Sequence, residues 1–413
     1  MTGLPPTMRA LVLAGRGFEH LSLQTVPVPE PGPRQLLARV DAAGICTSLI
    51  KLIEQGPEHS YLYGWDTAQY PIILGDEGAV TLVAVGTELK GRYSIGERFV
   101  VQPAVDHAPI NHRNRYRGVN SIHKVAVGHT LPGHLAEYML IPEEVIAAQC
   151  LIPIPDDLPA AHAAISEPIS CCVSGQEHHL HLLQEDLTQE RRMIKGLKPG
   201  GVTVIVGAGA MGRMHIDVAL SYRPRALIVT DFIEERLKRC RTLFAEKAQA
   251  LGVDLHLPQA TQDVKAFIQQ VSDYRGADDV IIAVGSAKAI ETAQHYAGRY
   301  GVVNLFGGLK KGQDVIQLDT SIVHYKEVNI TGSSGGSAWD VARTLELMAG
   351  DAIEASPHIT RIGDLSHATD FIEMVRQQEL DGKAVVYPHR HSNDILSVEL
   401  WRAEDEARYL VQS

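Results

Sequence analysis

The stretch Val202-Thr203-Val204-Ile205-Val206-Gly207-Ala208-Gly209-Ala210-Met211-Gly212 decides the fold. Its apolar, β-branched run predicts a buried strand, and three glycines spaced G-x-G-x-x-G predict a tight turn into a helix. In such a turn the first glycine permits the bend, the second lets backbone approach a pyrophosphate, and the third lets helix and strand pack closely. The N–H groups at the helix start then face the anion. A bare match is weak, but here the next apolar run, 226–230, ends at Asp231, 19 residues after Gly212. A carboxylate there can accept hydrogen bonds from both hydroxyls of an adenosine ribose. Gly207, Gly209, Ala210, Met211, Gly212 and Asp231 are therefore candidate dinucleotide contacts. Asp231 would repel a 2′-phosphate and favours NAD over NADP. Arg236 and Lys238 lie close by and argue the other way, and Arg236 joins the cofactor-binding candidates. The alternative is a glycine-rich turn without a ligand.

Outward from this stretch, apolar runs recur at 279–284, 301–306 and 328–331 with helical text between them. Near-continuous apolar strands alternating with helices predict a parallel sheet covered on both faces. From Met8 to about Glu167 the pattern changes to short strands, at 10–13, 36–40, 79–85 and 98–101, punctuated by Gly and Pro turns. That is the grammar of a barrel or sandwich. After Gly332 come a helix, 339–348, and a last strand, 383–387. This tail is too small to fold alone and is expected to complete the first domain. The expected layout is 1–173 plus 331–413 for the β-rich domain and 174–330 for the α/β domain. The late strands 302–306 and 328–331 are expected at the sheet edge.

The chain has 413 residues, enough for two or three domains with their own cores. Its 38 Lys+Arg against 49 Asp+Glu give a net charge of -11, without the basic footprint of a phosphate-backbone reader, so no nucleic-acid partner is expected. No stretch approaches the roughly 18 apolar residues of a membrane span, and no basic-then-apolar leader opens the chain, so a cytoplasmic protein without membrane contact is expected. Cys46, Cys150, Cys171, Cys172 and Cys240 are odd in number and scattered, which fits reduced thiols.

Three separate segments carry candidate metal chemistry: Gly44-Ile45-Cys46-Thr47-Ser48, Leu74-Gly75-Asp76-Glu77-Gly78 and Ser166-Glu167-Pro168. One thiolate and three carboxylates are ligands that Zn²⁺ accepts, and a catalytic zinc uses three protein ligands plus an open position. The bland alternative is a buried apolar cysteine and acids placed in turns.

The order Gly-Ile-Cys-x-Ser, Gly-x-Glu, Glu-Pro-Ile-Ser, Gly-x-Gly-x-x-Gly and finally Gly382-Lys383-Ala384-Val385-Val386 resembles the medium-chain dehydrogenase/reductase superfamily, most of all its zinc-dependent polyol dehydrogenase branch. The likeness runs from Met8 to about Pro388. Within the superfamily, the 30-residue gap from Cys46 to Asp76 and the extra segment 175–195 resemble the sorbose-1-phosphate reductase group. The resemblance implies a GroES-like catalytic domain, a Rossmann domain with NAD, and hydride transfer between the cofactor and a polyol or sugar alcohol at one zinc ion. It also implies a homodimer or homotetramer. Cys46 matches the first zinc ligand, Asp76 stands where a histidine is usual, Glu77 matches the acid beside it, and Glu167 matches the last ligand position. An all-anionic set weakens the Lewis acidity of the ion, and His59 is the candidate replacement for the missing histidine. Ser48 matches the hydroxyl that begins a proton relay. Lys51 stands at the family's relay histidine and either takes over proton exchange or is a solvated surface lysine.

The structural-zinc lobe of many relatives needs four close cysteines, and the stretch 99–140 has none, so one metal ion per chain is expected. That stretch instead holds His107, His112, Arg113, Arg115, Arg117, His123, His129 and His134, either a cationic loop that attracts an anionic sugar substrate or a solvated basic loop. His178, His179 and His181 are expected at the surface, since no acid or thiol motif accompanies them. Alternatives from other classes are a metal-free NAD(P)H-dependent reductase, disfavoured by Cys46, Glu77 and Glu167, and a non-catalytic NAD-binding protein, disfavoured by Ser48.

Overall fold

The computed structural model describes residues 3–106, 110–117, 122, 124–184, 186–259, 261–310 and 312–411. His107 and His123 lie outside the described residues. The chain divides into two compact units, one formed by Met1–Glu167, Ser337–Asp351 and Ala355–Ser413, the other by Pro168–Gly336 and Ala352–Glu354. The chain passes from the first to the second inside the helix Ser166–Glu177. The expected boundaries at 173 and 331 fall six residues to either side of these positions.

The first unit is β-rich. A small sheet joins Leu21–Pro27, Thr7–Leu13 and Ile72–Ile73; a larger one runs Leu151–Pro153, Arg98–Val101, Glu77–Val85, Leu36–Gly44, Lys383–Tyr387, Ile359–Asp364 and Leu396–Ser397. The strand Leu36–Gly44 lies in the middle and is buried over most of its length, which is why it reads Leu-Leu-Ala-Arg-Val-Asp-Ala-Ala-Gly rather than as a clean polar alternation. The core around it includes Leu11, Val80, Leu82, Phe99, Leu135 and Phe371. The tail is therefore part of this core, through Lys383–Tyr387 and Phe371.

The second unit holds a six-stranded parallel sheet in the order Asp254–His256, Ala226–Thr230, Val202–Val206, Ala277–Ile282, Ala297–Asn304, Asn329–Thr331. Counted along the chain this is 3-2-1-4-5-6, the doubly wound arrangement whose direction reverses beside the first strand. Alternate residues feed opposite faces: Val204, Ile228 and Val280 join one apolar cluster, and Ile205, Val229 and Ile281 join the other. One expectation is corrected: the strand at 302–306 is observed as Ala297–Asn304 and is interior, and only Asn329–Thr331 of the late pair is an edge. The extra segment after residue 177 is a two-stranded antiparallel hairpin, Leu180–Leu183 with Arg192–Lys195.

Candidate metal and dinucleotide sites

Strand pairing brings Cys46, Asp76 and Glu77 of the first unit together. Gly44 lies opposite Glu77 on one side and Val385 on the other, so the turn that follows it carries Cys46 past both Glu77 and Lys383. A Cβ on Gly44 would collide with Glu77 Oε2, so the glycine leaves room for that carboxylate where it lies. Ser48 opens the helix Ser48–Gln55, Asp76 precedes the strand Glu77–Val85, and Glu167 is the second residue of the helix Ser166–Glu177. Ser48 Oγ donates to Asp76 Oδ2 at 2.5 Å, and the Ser48 N–H points to Cys46 Sγ at 3.4 Å. Lys383 Nζ donates to Glu77 Oε1 at 2.5 Å and to the Ile45 carbonyl at 2.8 Å.

The electrostatics tie these groups to one sulfur. Desolvation first, then Asp76 and Glu77, with Glu167 in the same sense, push the Cys46 thiol well above its ordinary value, while Lys383 opposes them. Burial alone would pull the Lys383 ammonium down; Glu77, then Cys46 and Asp76, outweigh it and hold it above the usual lysine range. Asp76 Oδ1 and Glu77 Oε2 are buried without a hydrogen-bond partner. A buried acceptor left without a donor costs about 1–3 kcal/mol. A divalent cation held among them would satisfy such oxygens and would reverse the push on the thiol toward thiolate. One sulfur and three carboxylates are an acceptable donor set for zinc, so the residues present fit the ion.

The histidines fall differently from expectation. His129 and His134 are buried rather than part of a solvated loop, because their segment bonds back to the chain before Asp76: His134 N–H donates to Gly75 O and Leu135 N–H to Leu74 O. Both feel the charge of Asp76; the charges acting on His59 are His129 and Lys51. His134 Nδ1 lies 3.2 Å from the Gly75 carbonyl, its Nε2 is buried without a partner, and burial holds its pKa at about 4. Lys51 is exposed, one helical turn beyond Ser48.

In the second unit Gly207–Gly209 link the strand Val202–Val206 to the helix Ala210–Ser221. A Cβ on Gly212 would collide with the Gly207 carbonyl oxygen, which is the close helix–strand approach the third glycine serves. Asp231 follows the strand Ala226–Thr230, and its carboxylate accepts from Ala208 N at 2.7 Å and Ile233 N at 2.9 Å. Arg236 Nη1 stands 3.6 Å from Asp231 Oδ2. The turn, the acid and the cation thus share one end of the central strands.

Two family models match the chain: an alcohol dehydrogenase GroES-like domain over residues 32–156 and a zinc-binding dehydrogenase over 210–350. Mannitol-1-phosphate 5-dehydrogenase of Aliivibrio fischeri is 30% identical over 380 residues, covering 90% of this chain and 85% of its own. The chain belongs to the zinc-binding alcohol dehydrogenase family. L-Sorbose 1-phosphate reductase of Klebsiella pneumoniae is 28% identical over 367 residues, 88% of this chain and 84% of its own. Among solved structures, 2R,3R-butanediol dehydrogenase from Bacillus subtilis superposes with a TM-score of 0.72 over 92% of this chain and 100% of that one, at 19% identity, a likeness of fold. As a member of this family the chain is a nicotinamide-dependent oxidoreductase acting on alcohols. Among the described residues no helix is long and apolar enough to cross a membrane.

Two features of this dehydrogenase escaped the sequence. Lys383 stood there only as part of a terminal strand, yet it is the buried counter-charge of Glu77. His179 and His181, expected at the surface, are buried: both donate to Asp279 Oδ1, from Nδ1 at 2.6 Å and Nε2 at 2.8 Å, while Lys198 N–H donates to Asp279 Oδ2 at 2.9 Å. Their ligating atoms lie within 4.8 Å of one another. They are already joined by hydrogen bonds, and His179 Nε2 has no outer acceptor of the kind that orients a metal-binding imidazole, so they tie the hairpin to the sheet. Asp279 faces Thr203, near the start of the strand leading to the glycine turn.

Proposed function

We propose that the chain interconverts the secondary alcohol of a phosphorylated polyol and the corresponding ketose, with NAD as hydride carrier and one zinc ion held by Cys46, Asp76, Glu77 and Glu167. The observation that carries this reading is that Ser48 contacts both Asp76 and Cys46, while Asp76, Glu77 and Glu167 all act on the Cys46 sulfur. Zinc held there would supply positive charge that lowers the pKa of a substrate hydroxyl. Ser48 donates its own proton to Asp76 Oδ2, which leaves its oxygen lone pairs free to accept a proton from that hydroxyl. Asp76 thereby has two jobs on two oxygens: Oδ2 takes the serine proton and Oδ1 remains bare toward a cation. Lys383 offsets one of up to four negative charges and keeps the set from repelling itself apart. His134, with a bare Nε2 in the field of Asp76, supports the reading of a histidine substitute better than His59 does. Lys51, exposed, has less support as a proton relay.

Asp231 favours NAD, and Arg236 beside it reduces the charge a 2′-phosphate would meet. The phosphorylated substrate is supported by the two phosphate-named relatives. The free edge of Asn329–Thr331 supports association of two copies in a homodimer or homotetramer, read by light scattering. The deciding experiment assays polyols, ketoses and their phosphates with both nicotinamide cofactors, alongside elemental analysis. One zinc per chain and chelator-sensitive turnover of a polyol phosphate are expected. Activity that survives with no bound metal refutes the zinc assignment, and a protein that binds NAD yet turns over nothing in the panel refutes the enzyme reading.

A further inference from the structure

The inserted stretch between Cys46 and Asp76 carries donor groups that the redox chemistry leaves unused. His59 follows the short turn Gly56–Glu58. Its ring, that of Tyr61 and that of His129 form a triangle, with centroids 5.9 Å apart for His59–Tyr61, 5.4 Å for His59–His129 and 5.9 Å for Tyr61–His129. Lys124 Nζ stands 5.6 Å from the centre of the Tyr61 ring, and Lys51 acts on His59 from the exposed side of its helix. Among the described residues neither lysine makes an ion pair. In a chain with 49 acidic against 38 basic residues, two ammonium groups that make no ion pair among the described residues stand out beside one ring cluster. His129 connects this cluster to the redox centre, since it is buried and feels the charge of Asp76.

We propose that Lys51, His59 and Lys124 bind the phosphate monoester of the substrate; this rests on the polyol-dehydrogenase reading above. The charge pattern dictates the direction. Asp76, Glu77 and Glu167 repel an anion, so a phosphorylated chain enters with its phosphate on the cationic side and its carbon backbone reaching toward Ser48. Two ammonium groups balance a dianion, and a neutral imidazole adds a directional N–H donor. His59 is neutral at pH 7, its pKa held at about 4 by burial first and then by His129 and Lys51. It therefore contributes a hydrogen bond without adding repulsion between like charges in the free enzyme.

The test compares kcat/KM for a ketose phosphate and the same ketose without phosphate, in the wild type, in Lys124→Met, and in the double variant Lys51→Met/Lys124→Met. Each charge-assisted contact is expected to be worth roughly tenfold. The ratio of the two kcat/KM values should fall about tenfold in the single variant and about a hundredfold in the double, chiefly through KM for the phosphate ester. Inorganic phosphate should compete with the phosphorylated substrate in the wild type and lose its inhibition in the double variant. Lys124→Arg, which keeps the charge, should restore most of the ratio. A ratio unchanged in the double variant, or an equal loss of kcat on both substrates, overturns the subsite; the second outcome would return Lys51 to the proton relay. Should the wild type turn over no sugar at all, calorimetric titration of inorganic phosphate into wild type and double variant separates the two readings. Phosphate binding that depends on the lysines keeps the subsite while the dehydrogenase assignment falls, and its absence ends both.

Discussion

Replacing Asp279 by Asn isolates the buried tie beneath the nucleotide-binding sheet. Burial alone would raise the Asp279 pKa, but the hydrogen bonds from His179 and His181 outweigh it and hold the carboxyl at about 2, against 3.8 in an ordinary aspartate. A shift of nearly two units, at about 1.4 kcal/mol each, corresponds to about 2.5 kcal/mol of stability at neutral pH. Asn keeps one acceptor for the imidazoles but turns an amide donor toward the Lys198 N–H, stranding a donor at a further cost of about 1–3 kcal/mol. The variant should lose about 3.5–5.5 kcal/mol in urea unfolding. Hydrogen exchange should show the loss concentrated in Leu180–Leu183 and Arg192–Lys195, the hairpin the tie anchors. The sign with pH follows from a depressed carboxyl: its contribution is complete above about pH 4 and vanishes as the folded-state group protonates toward pH 2. The gap between wild type and variant should therefore hold from neutral pH to about 4 and narrow below it. A loss under about 1 kcal/mol with unchanged hairpin protection would refute the reasoning.

Burial holds His134 at about 4 and His215 at about 3, below the ordinary 6.5, so the unfolded chain takes up protons before the folded one does. Stability from these two is complete well above pH 6.5 and lost on acidification, at a rate approaching about 1.4 kcal/mol per pH unit for each histidine, or about 3 kcal/mol in all between pH 6.5 and 5; urea midpoints across that range check it, and His215→Leu should remove about half the slope. Lys383→Met breaks the buried pair with Glu77 and should cost about 3–5 kcal/mol, part of it recovered in the double variant with Glu77→Gln, measured by denaturant unfolding without metal. Ser48→Ala should lower kcat by about 10²–10⁴ while leaving zinc content and the thermal midpoint near wild type, the pattern of a lost proton acceptor rather than a lost ligand.

What could be read along the chain and what could not differ in the range of the forces involved. The glycine turn was legible because Gly207 and Gly212 answer local backbone demands, and Asp231 because strand and helix lengths place it at a fixed offset from that turn. The four acid and thiol positions were nameable from residue type and order, whereas the meeting of Cys46 with Glu77 and Lys383 depends on the pairing of Gly44 with both Glu77 and Val385, which no local pattern encodes. Lys383 was missed for the same reason: its partner lies 306 residues away. The hairpin histidines misled in a different way. Leu180 and Leu182 are the apolar members of the alternation, yet both are exposed, and His181 between them points in because Asp279, 98 residues away, supplies a charge that makes the inward imidazole worth burying. The interior strand was readable after all: Val302 and Val303 are consecutive and both buried, which a parallel strand with neighbours on both sides requires, while Asn329-Ile330-Thr331 carries the polar punctuation of an edge. At Glu77 and at Asp279 the buried partners that decide the arrangement, Lys383 and His181, are remote in sequence, so the residues most sensitive to mutation there are those whose own neighbourhood in the sequence looks least informative.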